Sequence, residues 1–220
     1  MIEKMIIDAD LCIKLGGSNR YRYLYDVLPL ISKKIYMHTW AHGEVMMPVS
    51  AVNQLKDLVN EGKVELVNEN GLDAMNRAIF DAAYRNLERV MINPHKPNKN
   101  KGEAYSLAYA KATGIPYFAT DEMNLQPIID AQLNTGIDDI TCIRIVDIIQ
   151  KAHDGEIDIP RKVCKALWLV TGKKKDIFDK ELWPVSLRNP DMLSQQTEQK
   201  MCLRSMKQIL FLCFFAVSRE

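Results

Sequence analysis

Four acidic residues have the types and places to do chemistry: Asp8, Glu44, Glu103 and Asp121. Asp8 closes the apolar run Met5-Ile6-Ile7, and Asp121 closes the run Ile115 to Thr120. Glu103 opens an Ala-rich segment, and Glu44 follows a third apolar run that ends at His38. Carboxylates gathered at one place repel each other unless a cation sits among them. Ligands that are all oxygen suit hard cations, here Mg²⁺ or Mn²⁺. Such ions polarise phosphoryl oxygens and activate water, so four converging acids would fit phosphodiester hydrolysis. Asp10 is a fifth candidate ligand, and Glu122 is placed to orient water around a bound ion. Thr120 can hydrogen-bond a ligand carboxylate or a phosphate oxygen. Lys96, Lys99 and Lys101, in the loop before Glu103, are candidate phosphate contacts.

Each acid also has an ordinary structural duty open to it. Asn100-Lys-Gly-Glu103 reads as a capping box, with Asn100 as the cap and Glu103 at the third helical position. Asp8 or Asp10 can cap a first helix, and Asp121 a later one. Four independent caps would not be expected to recur in this order, so the joint pattern carries more than its parts.

The elements that must position these residues follow from periodicity. Strands are expected at Lys4 to the Asp8-Ala9-Asp10 turn, Lys34 to His38, Val64 to Val67, Ile115 to Thr120, and Asp139 to Arg144. Helices are expected at Asp10 to Leu15, Tyr21 to Ile31, Trp40 to Met47, Ser50 to Asn60, Leu72 to Met91, Gly102 to Thr113 and from Arg144 to about Ala152. Ser50 is a candidate cap and Gly62 a stop signal. Alternating strands and helices imply an α/β fold, a three-layer α/β/α sandwich around a mostly parallel sheet. Ligands in such sheets bind beyond the carboxyl ends of the strands, where Asp8, Asp10 and Asp121 lie.

Three regions are expected: a catalytic domain over residues 1–150, a helical C-terminal extension over 151–189, and a tail of unassigned role over 190–220. The tail holds the apolar run Ile209 to Val217. That run is about half the length a bilayer span requires, so it reads as a terminal helix and no membrane association is expected.

A net charge of +1 excludes a uniformly basic surface, so nucleic acid would have to bind at a local patch. The five cysteines are widely spaced and contain no C-x-x-C pair, which argues against a disulfide framework or a zinc site. Met1 to Ile7 does not read as a signal peptide, and a reduced, cytoplasmic protein is expected. Tyr21 and Tyr23 beside Arg20 and Arg22 can stack on bases but read first as packing residues. Lys173 to Lys175 reads as a solvated face.

Ile6-Ile-Asp8-Ala-Asp10-Leu resembles the opening strand of PIN-domain nucleases. Gly102-Glu103, then Ala108-x-Ala110-x-x-x-Gly114-Ile115-Pro116 and Phe118-Ala119-Thr120-Asp121, resembles the second half of that family's domain. His38-Thr39 followed by Glu44 is similar to the strand and helix that supply its second acid. The resemblance covers roughly residues 1–150; many family members have Asp where Glu103 stands. It implies Asp8, Glu44, Glu103 and Asp121 as holders of one or two Mg²⁺ or Mn²⁺ ions, with Asp10 beside them. It also implies RNA cleavage that leaves a 5′-phosphate. An antitoxin protein as partner and a homodimer are further implications of the family.

Three rival readings remain open at this level. Asp8-x-Asp10 after an apolar strand suggests a phosphatase with nucleophilic Asp8, with the Asp138-Asp139 pair as late metal ligands; Leu11-Cys12 stands where that class has Gly-Thr. A non-catalytic PIN-like RNA-binding or scaffold protein is the second. His38, His42 and Glu44 suggest zinc, but Thr39 stands where the zinc-protease pattern needs Glu.

Overall fold

A computed structural model describes residues 1–122, 125 and 139–183 of the chain. Asp138 and the run Ile209 to Val217 lie outside the described residues. By contacts the chain divides into one unit at Met1–Lys175 and another from Asp176 onward. Of the second, residues 176–183 are described, with a π-helical turn at Phe178–Leu182.

The first unit is an α/β fold on a five-stranded, all-parallel sheet. The strands are β1 (Ile2–Ile7), β2 (Ser32–His38), β3 (Val64–Val67), β4 (Tyr117–Ala119) and β5 (Thr141–Ile143). Their order across the sheet is β3-β2-β1-β4-β5. The helices are α1 (Ala9–Gly16), α2 (Tyr23–Ile31), α3 (Thr39–Glu44), α4 (Val49–Asn60), α5 (Ala74–Met91), α6 (Lys101–Thr113), α7 (Ile145–His153) and α8 (Arg161–Val170).

Both faces of the sheet are buried, as a parallel sheet requires. In β1, Met5, Ile6 and Ile7 are all fully buried, although successive side chains point to opposite faces. Ile6 and Phe118 join a core with Phe80, Leu87 and Leu107 from α5 and α6. Among the helices, α1, α2 and α4 pack together, and α3 and α5 each pack on α6. This arrangement is compatible with three layers.

The chain leaves β1 for β2 on one side, and β4 returns to its other side. The order therefore reverses between β1 and β4, and beyond the carboxyl ends at such a point is where ligands of parallel sheets bind. The Asp8 amide donates to the Ala119 carbonyl at 2.9 Å, which carries the β1–β4 pairing one step past the strands.

Two helix starts differ from the sequence expectation. Asn100 is not a side-chain cap: it takes a left-handed φ of 63° and its Nδ2 donates to the Met91 carbonyl at 3.0 Å. The left-handed residue ends the preceding loop instead, and no capping box ties up Glu103. Ser50 lies inside α4, where Pro48 holds the cap position, and its hydroxyl donates to the Gly16 carbonyl at 2.6 Å.

Candidate metal centre

Asp8, Glu44 and Glu103 each bring one carboxylate oxygen into a group whose atoms lie within 4.8 Å of one another. Three different elements deliver them. Asp8 stands between β1 and α1 and caps the helix, its Oδ1 accepting from the Ala9 amide at 2.7 Å. Glu44 is the last residue of α3. Glu103 lies in the first turn of α6.

Local contacts fix two of the three. The Thr120 hydroxyl donates to Asp8 Oδ2 at 3.2 Å, so each oxygen of that buried carboxylate has one donor and keeps acceptor capacity. The Gly102 amide donates to Glu44 Oε1 at 3.2 Å. A Cβ on Gly102 would come within 2.7–2.9 Å of the Glu44 carboxyl group, so the approach depends on glycine. Glu103 Oε2, by contrast, is buried and has no hydrogen-bond partner.

The electrostatics follow from crowding acids away from water. Burial, then the neighbouring Glu103 and Glu44, push the Asp8 carboxyl up to about 8, against the pull of the Ala9 amide and the Thr120 hydroxyl. Burial likewise raises Glu44, opposed by the Gly102 amide. Burial raises Glu103; its own amide opposes the shift, and Glu44, Glu122 and Asp10 add to it. A group that accepts protons this readily also gains from a cation, because either one removes the repulsion.

Asp121 and Asp10 are engaged elsewhere. Lys14 Nζ lies 2.9 Å from Asp121 Oδ2 and 2.8 Å from Asp10 Oδ2. Asp121 Oδ1 also accepts from the Ile145 amide at the start of α7, at 3.4 Å. Lys14 was not singled out from the sequence, although Asp10 and Lys14 stand at the i, i+4 spacing that pairs charges on a helix. Gly102 carried a signal too, as a glycine inside a helical pattern.

The remaining candidates sit around this core. The Thr120 hydroxyl also accepts from the Glu122 amide at 3.2 Å, so one buried side chain holds Asp8 and the turn beyond β4. Lys96 and Lys99 are exposed on the loop before α6. Lys101 Nζ lies 4.0 Å from the centroid of the Trp40 ring. His38 turns away from Glu44: its Nδ1 accepts from the Trp40 amide at 3.2 Å, and its Nε2 faces Glu69 at 3.3 Å. Asp139 pairs with Lys111 at 3.0 Å. Tyr21 and Tyr23 stack on each other at 5.2 Å and line a groove of about 500 Å³ with Ile159 and Pro160.

Among the described residues, no helix is long and apolar enough to cross a membrane. No protein-family profile, no curated protein and no solved structure matches the chain.

Proposed function

We propose that this protein is a divalent-metal-dependent nuclease of the PIN-domain kind that hydrolyses phosphodiester bonds in RNA. The observation that carries the reading is the convergence of Asp8, Glu44 and Glu103 within 4.8 Å, with Glu103 Oε2 buried and unpartnered. A buried acceptor without a donor is costly, and a hard cation would satisfy it.

Asp8, Glu44 and Glu103 would hold Mg²⁺ or Mn²⁺. When bound, the ion supplies polarisation of a phosphoryl oxygen and activation of water. The chain's own part is orientation. Ala9 and Thr120 fix the Asp8 carboxylate, and the Gly102 amide fixes Glu44. Burial of Asp8, with Glu44 and Glu103 half-buried beside it, limits screening of the carboxylates by bulk water. A nucleophilic role for Asp8, which must reach a bulky phosphorus centre, is disfavoured because the residue is 1% exposed.

The test is Mn²⁺ binding by calorimetry together with cleavage of single-stranded RNA. The wild type should bind Mn²⁺ and produce 5′-phosphate ends, and Asp8→Asn and Glu103→Gln should lose cleavage and bind Mn²⁺ roughly tenfold or more weakly. Metal binding without cleavage of any RNA would leave a metal-binding scaffold. Absence of metal binding would remove the reading.

A further inference from the structure

Trp40 is a large aromatic residue near the triad, and it is 41% exposed. It stands four residues before Glu44 on α3, so the indole and the carboxylate project from one side of the helix. Together with Thr39, Gly43 and Asn98 they line one cavity of about 410 Å³. Tyr105 packs beside the indole, with ring centroids 5.4 Å apart. Lys101 holds its ammonium 4.0 Å from the Trp40 centroid, two residues before Glu103.

The cavity thus combines a flat aromatic face and a wall shared with the metal centre, and the Lys101 ammonium lies over that aromatic ring at its side. A planar unsaturated ring stacks on an indole, and an ammonium released from that indole can meet an anion. A nucleotide has both parts joined at a short distance. An acidic peptide would satisfy the ammonium and leave the aromatic face unmatched. A duplex keeps its bases stacked inside, so a single exposed indole reads an unstacked base.

We infer that Trp40 and Lys101 form a nucleotide subsite beside the acidic triad, in which one unpaired base stacks on Trp40 and its phosphate meets Lys101. This rests on the metal-dependent reading above, because Glu44 forms part of the cavity wall and repels phosphate unless a cation neutralises it. Bases of any identity have a face to stack, so the subsite favours single strands without demanding a sequence.

The probes are adenosine 5′-monophosphate and ribose 5-phosphate, neither of which has a phosphodiester bond to cleave. Both are titrated in Mn²⁺ against the full chain, following tryptophan emission and heat. The nucleotide should bind at least about fivefold tighter than the sugar phosphate, the lower end of what one base–aromatic stack contributes. It should also quench emission that Trp40→Phe removes. Trp40→Ala should erase that preference and leave Mn²⁺ and ribose 5-phosphate binding unchanged, while Trp40→Phe keeps part of it. Lys101→Met should weaken both probes alike.

Equal binding of the two probes by the wild type, or a preference that survives Trp40→Ala, overturns the subsite. Mn²⁺ binding combined with no base preference removes the subsite and leaves the metal reading intact. A Trp40-dependent preference without Mn²⁺ binding removes the metal reading and the shielding of Glu44 by a cation, and leaves only the stacking contact. The wild-type comparison of the two probes needs no variant, so a poorly folded Trp40→Ala does not end the test.

Discussion

Lys14 and Asp121 form an ion pair at 2.9 Å that joins α1 to the end of β4. The same ammonium holds Asp10 at 2.8 Å. Burial alone would depress the Lys14 pKa, but its hydrogen bonds to the two carboxylates outweigh that and raise it. Two of the five candidate ligands therefore already have a cation built into the fold. The three that lack one are Asp8, Glu44 and Glu103.

That division predicts unequal effects on metal binding. Asp8→Asn and Glu103→Gln should weaken Mn²⁺ binding roughly tenfold or more, since even the hydrogen-bond partner behind a ligand is worth that much. Asp121→Asn should change it by under about fivefold, the scale of a partly exposed ion pair of about 1 kcal/mol. Lys14→Met should tighten Mn²⁺, since it returns two carboxylates to the field of the site. Calorimetry on the four variants checks the order, and a loss at Asp121→Asn as deep as at Asp8→Asn would contradict it.

Gly102→Ala separates metal binding from folding. The new Cβ would crowd the Glu44 carboxyl group at 2.7–2.9 Å, and that group is the far end of a flexible side chain. It can swing aside at little expense to the fold. Alanine is also favoured over glycine inside a helix by up to about 1 kcal/mol. The variant should melt at the same temperature or slightly higher while Mn²⁺ affinity falls, as in Glu44→Gln. A joint fall in melting temperature and affinity would place the glycine's role in packing instead.

Much of the scaffold was legible because its signals are local. Apolar runs of strand length marked all five strands, and the alternation with helices implied the parallel sheet. Ends of elements were less legible. The stretch Trp40 to Met47 reads as helix, yet α3 runs Thr39–Glu44, because the His38 ring caps it and the Val45 amide closes on His42. Among the acids, Asp8 and Glu103 were visible from their places at a strand end and a helix start. The Lys14 bridge to Asp121 spans 107 residues of sequence, and no local pattern encodes a pairing made only when β1 and β4 come together. The same holds for Glu44, whose position depends on the Gly102 amide 58 residues away.

Stability of the metal-free protein should fall as pH rises from 6.5 to about 8. Asp8 has its folded pKa raised from 3.8 to about 8, with burial the main cause, so over this interval the folded state binds more protons than the unfolded one. The unfolded-state slope is then negative, and each added unit of pH removes stability. Below 6.5 a second group opposes this. Burial lowers the His38 pKa from 6.5 to about 4, so between those values the unfolded chain holds the His38 proton while the folded chain holds the Asp8 proton, and the two slopes offset each other. Thermal melts of the wild type should therefore level off below 6.5 and fall above it. Asp8→Asn should flatten the alkaline side, and saturating Mn²⁺ should do the same, with a melting shift that grows with pH.

Gly16→Ala should damage the fold where Gly102→Ala spares it. Gly16 ends α1 against α4, and a Cβ there would meet both the Cα and the Cβ of Ala51 at 2.5 Å. The first of those atoms is backbone and cannot swing away. The same contact aligns two hydrogen bonds to the Gly16 carbonyl, from the Ser50 hydroxyl at 2.6 Å and from Gln54 Nε2 at 3.3 Å. Separating α1 from α4 would stretch both. Overpacking of this kind costs about 1–3 kcal/mol. Urea unfolding should show that loss in the midpoint with an unchanged slope, since the surface exposed on unfolding is the same. Because Asp8 caps the opposite end of α1, Mn²⁺ affinity measured well below the midpoint should stay near the wild-type value. A Gly16→Ala protein as stable as the wild type would mean that α1 and α4 can part without cost, and the close approach at Ala51 would then carry no structural weight.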